Sequence, residues 1–66
     1  MKMSPRMHND LRFFTLRVNE SSEMAEQMAQ DFENKFDNLD RYDKMIMAQA
    51  IDMDGWEKAF EMIESY

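Results

Sequence analysis

Sixty-six residues allow one domain at most, and with no cysteine they exclude disulfides and thiolate metal sites. A hydrophobic fraction of 44% with five Phe, two Tyr and one Trp is too rich for a disordered chain, despite a net charge of −6. No run approaches the roughly 20 apolar residues of a membrane span, and residues 1–7 do not lead into the apolar stretch of a secretory signal, so a cytoplasmic location is expected.

The charge is uneven. Residues 1–20 hold four cations against two acids, a balance of +2, while residues 21–66 hold four against twelve, a balance of −8. A basic head on an acidic body points to an anion-binding end joined to a solvated or partner-binding region, although a charge run on a helix is most often an exposed face. A core this small is marginal alone, so oligomerisation or a partner is the expected reinforcement.

Residues 1–10 contain Pro5 and a His-Asn-Asp turn and read as a flexible arm; the alternation of Met1, Met3 and Met7 leaves a second, N-terminal strand open. Phe14, Leu16 and Val18 then alternate with Phe13, Thr15 and Arg17. This period of two predicts a strand over residues 12–18, buried on one face. A lone strand leaves its backbone groups unpaired, and the economical partner is a second copy of the chain.

Asn19, Ser21 and Ser22 are all acceptable N-caps, with Glu20, Glu23 and Glu26 near the positive end of a helix dipole. A helix over about residues 21–36 follows, its stripe running through Met24, Ala25, Met28, Ala29, Phe32 and Phe36. A further helix over about residues 40–53 would turn Tyr42, Met45, Ile46, Ala50 and Met53 inward. Asp54 and Glu57 resemble a capping box ahead of Trp56, Ala59, Phe60 and Ile63, which predicts a break at Gly55 and a last helix over about residues 55–65, or else one bent helix.

Chemistry has little to work with. A nucleophile, a base and an orienting group are not assembled by one His, at position 8, and a few Ser residues near caps and termini, so no enzyme and no catalytic residue is expected. Counting back from Gly55 as the sixth position of an EF-hand loop gives Asp52, Asp54 and Glu61 in ligand positions, but Ala50 stands first and Lys58 ninth. No metal or cofactor is expected. Nine methionines point to an adaptable partner groove, against the simpler use of Met24, Met28, Met45 and Met62 as core filler.

A two-stranded ribbon fits the DNA major groove, and here its outward face would present Phe13, Thr15 and Arg17, with Arg12 beside them. The plain counterpart is an ordinary polar strand face. The segment FTLRVNESSEMAEQMA resembles the opening of the ribbon-helix-helix family of repressors and related antitoxins, and DKMIMAQAI, from Asp43, resembles the start of that family's second helix. The resemblance spans roughly residues 12–51. It lacks the family's Gly followed by Ser or Thr between the helices, and Asp40 and Asp43 replace the neutral cap.

The resemblance implies a mainly α, strand-first intertwined homodimer. Arg12, Phe13, Thr15 and Arg17 would read operator DNA, and Phe14, Leu16 and Val18 would form the dimer core. Trp56, Phe60 and Ile63 would complete that core or dock a basic protein partner. The competing expectation is a small acidic inhibitor that binds protein, mimicking nucleic-acid charge, with no DNA role.

Overall fold

The computed structural model describes residues 2–66, and among them it contains no strand. Four helices follow in order: α1 (Pro5–Val18), α2 (Ser22–Asp37), α3 (Arg41–Asp54) and α4 (Trp56–Ile63). The strand expected over residues 12–18 is therefore corrected: those residues are the second half of α1, and the strand-containing ribbon-helix-helix fold goes with it.

The physical reason lies upstream. Ser4 caps α1, its Oγ accepting the Met7 N–H at 3.2 Å, and Pro5 takes the first helical position, where a missing N–H costs nothing. Residues read as an arm thus nucleate the helix; Met1 lies outside the described residues. Once it starts, Met7, Leu11, Phe14, Thr15 and Val18 recur at helical spacing, a stripe that coexists with the period-two alternation of Phe14, Leu16 and Val18. A helix satisfies its backbone internally, whereas the lone strand needed a second chain. Asn19 closes α1 by donating from Nδ2 to the Thr15 carbonyl at 2.8 Å.

Ser21 caps α2 through the Met24 N–H at 3.1 Å, and Asp40 caps α3 through the Asp43 N–H at 2.8 Å. Asp54 does not cap α4; it is the last residue of α3. The break falls at Gly55, whose φ of 89° lies where side chains other than hydrogen are disfavoured. Nothing crowds a Cβ there, so the cost of a substitution is one of backbone conformation alone. Gly55→Ala is expected to lower stability by about 1–2 kcal/mol, measured by urea denaturation, with the α-helical circular dichroism retained.

Helix α2 packs against the other three. Leu11, Ala29, Phe32, Phe36, Met47, Ala59 and Ile63 form the buried core, and Phe14, Phe32, Trp56 and Phe60 form an aromatic cluster where α1, α2 and α4 meet. Its tightest pair, Phe32 and Phe60, has ring centroids 4.6 Å apart. The radius of gyration, 11.1 Å, matches the roughly 10.8 Å of a compact chain this long. One copy of the chain therefore closes its own core.

Candidate interaction surfaces

The α1–α2 seam holds a polar cluster built by antiparallel helix pairing. Arg12 reaches Glu26 with two bonds, Nε to Oε2 at 3.0 Å and Nη2 to Oε1 at 2.9 Å, and its Nη1 donates to Glu33 Oε1. His8 Nδ1 lies 2.7 Å from the same Glu33 oxygen. Burial opposes the Arg12 charge, but the hydrogen bonds and charges of Glu26 and Glu33 outweigh it and raise Arg12 above its ordinary value. This cluster fastens two helices and leaves the guanidinium no free edge for a ligand.

The residues expected to read bases do not share a face. Thr15 is wholly buried and bonds the Arg12 carbonyl within its own helix at 3.2 Å, Arg12 is spent on α2, and only Phe13 and Arg17 face solvent. The expected dimer core separates as well. Phe14 packs into the chain's own aromatic cluster, while Leu16 and Val18 are exposed. A helix turns successive residues by about 100°, which sets Leu16 on the side away from Phe14, while Val18, one turn beyond Phe14, is exposed as the last residue of α1. Ile63 is buried in the core, and Trp56 and Phe60 are half-buried and pack against Phe14 and Phe32 of the same chain. Asp52, Asp54 and Glu61 remain exposed, and no group of three His, Cys, Asp or Glu able to hold a metal ion occurs among the described residues.

Helix α3 has apolar residues on two opposite sides. Met47 and Ala50 face the core, with Ile51 beside them, while Tyr42, Met45 and Met53 are 66%, 56% and 82% exposed. The sequence expectation that Tyr42, Met45 and Met53 turn inward is thus reversed. The three lie with Gln49 on one outward stripe at i, i+3, i+7 and i+11, running the length of the helix. Half-buried Ile46 adjoins it. Beside Met45 opens a groove of about 450 Å³ between α3, the end of α2 and the start of α1. Met3, Met7 and Phe36 line it, and Lys2, Arg41 and Lys44 lie along it. At the other end of the stripe, Asp52 and Asp54 flank Met53.

The signal for this surface is present in the sequence as a helix apolar on both sides, but periodicity alone does not say which side meets the core. No helix among the described residues is long and apolar enough to cross a membrane. No protein-family model, no curated protein and no solved structure matches the chain.

Proposed function

We propose that this chain is a small acidic protein-binding module, of the inhibitor kind, that holds a basic amphipathic helix of its partner on the outer face of α3. The observation that carries this reading is the second apolar face of α3, with Tyr42, Met45 and Met53 turned to solvent in a domain whose core is already complete. A surface helix ordinarily hides its one apolar stripe, and a helix with two stripes is built for two neighbours. Thioether side chains adapt to the shape of whatever packs on them, and a partner helix laid along such a stripe is a recurrent recognition mode.

Charge selects the partner. Eleven of the fourteen acids are exposed, so the field around the body is negative and attracts basic surfaces. Asp52 and Asp54 beside Met53 would receive the partner's basic residues, while Arg41, exposed at the opposite end of α3, sets the direction in which it lies. Operator DNA loses its support, because the ribbon that would have entered the major groove is a helix with Thr15 buried.

The test is affinity capture with the immobilised chain against the same chain carrying Tyr42→Ala, Met45→Ala and Met53→Ala together. Exposed truncations leave the fold's melting temperature nearly unchanged, and the triple variant is expected to bind the captured basic partner at least roughly 30-fold more weakly, as loss of an interface anchor does. Equal capture by the triple variant, or retention of duplex DNA in place of protein, would remove the reading.

A further inference from the structure

Helix α1 also carries an outward face, distinct from the α3 surface, and it is self-complementary. At about 100° per residue, Arg6, Asp10, Phe13 and Arg17 lie within about 60° of one another, flanked by Asn9 and Leu16. All six are exposed; Phe13 is 72% and Leu16 53% accessible. None of the ion pairs among the described residues uses Asp10 or Arg17, although Arg12 on the adjacent face takes two carboxylates. An apolar pair is thus set between two uncommitted charges of opposite sign.

We propose that two copies of the chain pair through this face, their α1 helices antiparallel about a two-fold axis at Phe13. The register follows from the sequence positions. Asp10 and Arg17 lie three and a half residues, about 5 Å, on either side of the midpoint between Phe13 and Phe14. A two-fold axis perpendicular to both helices therefore brings Asp10 level with Arg17 of the partner copy, on the same rim of the interface, and does so twice. Phe13 meets Phe13 at the centre, and Leu16 covers the opposite rim beside Asn9 of the other copy. Parallel pairing would set Asp10 against Asp10 and Arg17 against Arg17, so the charges select the antiparallel arrangement. The interface is isologous and closes at two copies.

A 14-residue helix is about 21 Å long, and one such pair covers less than the roughly 800 Å² per partner of a standard interface. The dimer is consequently weak, dissociating in the range of roughly 10 μM to 1 mM. Phe14, Leu16 and Val18 do not form its centre: Phe14 points into the core of its own subunit.

Sedimentation equilibrium across that concentration range tests the pairing with charge reversals. Phe13→Asp is expected to leave a monomer with unchanged helicity, since Phe13 takes no part in the core. Asp10→Arg and Arg17→Asp should each weaken dimerisation at least roughly 10-fold, because each sets like charges level with one another twice. Mixing the two variants should restore dimers, now heterodimers: the cation introduced at position 10 of one copy faces the carboxylate introduced at position 17 of the other, while the native Asp10 and Arg17 also meet. Met53→Asp, on α3, should leave the association unchanged and so separates this interface from the one assigned to a partner. A wild-type monomer at the top of the range, a dimer indifferent to Phe13→Asp or lost with Met53→Asp, or a mixture that stays monomeric would each overturn the proposal.

Discussion

Phe32→Ala is expected to remove about 3–5 kcal/mol, a third or more of the stability of this protein, at 25 °C. Phe32 is 1% exposed and lies on α2, the helix that touches the other three. Its ring sits 4.6 Å from Phe60 and 5.5 Å, edge-on, from Trp56, centroid to centroid. Truncation removes the buried ring and leaves a cavity within the core cluster beside Trp56 and Phe60 of α4, which costs about 3–5 kcal/mol. Part of that loss is the ring–ring geometry, worth about 0.5–1.5 kcal/mol per pair.

The total stability available decides the outcome. At about 0.05–0.15 kcal/mol per residue, a chain of this length holds roughly 3–10 kcal/mol. One substitution thus removes between a third and all of it. Thermal unfolding should shift down by at least about 12 °C, at about 4–8 °C per kcal/mol for a domain of this size. The emission of Trp56, the only tryptophan, should move to the red as its environment opens. Phe13→Ala, on the exposed side of α1, is the control and should stay within about 0.5 kcal/mol of the parent. A Phe32→Ala protein with less than about 1 kcal/mol of destabilisation would mean that the aromatic cluster is not the centre of the core.

Phe32 is legible in the sequence as a core residue, and the reasons show where sequence reading works in this chain. Its stripe, Ala25, Ala29, Phe32 and Phe36, repeats at three and four residues without a competing period, and Ser21 marks its start. Gly55 marks a break because the chain has no other glycine, and the reversal there uses its positive φ. Met24, which its spacing assigns to the same broad stripe, sits at the edge of it and is 60% exposed.

Two features lie beyond the pattern. In residues 12–18 the apolar side chains satisfy both periods, so local pattern leaves the choice open, and the deciding residues, Ser4 and Pro5, lie a turn or more away in a stretch of low periodicity. Thr15 adds to the ambiguity: a β-branched polar residue suits a strand face, yet here it is buried by returning its hydroxyl to its own helix. In α3 the helix is readable but its orientation is not, since Tyr42, Met45 and Met53 outweigh Met47 and Ala50 in apolar surface while facing away from the core. Which face is buried depends on the other helices, information that no single segment contains.

Arg12→Ala should cost about 1–3 kcal/mol, a loss second to that of Phe32→Ala, and it should do so through Glu33 more than through Glu26. The Glu33 side chain is only 14% exposed, whereas that of Glu26 is 57% exposed and can return to water. Removing the guanidinium strands the first carboxylate in a half-buried seam, where His8 Nδ1 is the one other nitrogen paired with it among the described residues. The second loses a solvent-screened pair worth less than about 1 kcal/mol. A double-mutant cycle of Arg12→Ala with Glu33→Gln should therefore show a coupling of at least about 1 kcal/mol, and the same cycle with Glu26→Gln about half of that or less.

Arg12→Lys should recover little, since an ammonium cannot make the two parallel bonds to Glu26 while also reaching Glu33. The pH dependence has a definite sign. Arg12 has its affinity for the proton raised on folding, so its contribution is fully present below the unfolded value and is lost only as the pH rises through the still higher folded one. Across the neutral range the cost of Arg12→Ala should accordingly be flat. The seam also fixes how α1 is rotated on α2, and with it the outward aim of Phe13 and Arg17. Arg12→Ala should thus weaken self-association of the chain several-fold although Arg12 lies off the pairing face, while Arg6→Ala, on that exposed face and outside the seam, should leave stability unchanged. A cycle with no Arg12–Glu33 coupling would show that the two helices are held by their apolar contacts alone.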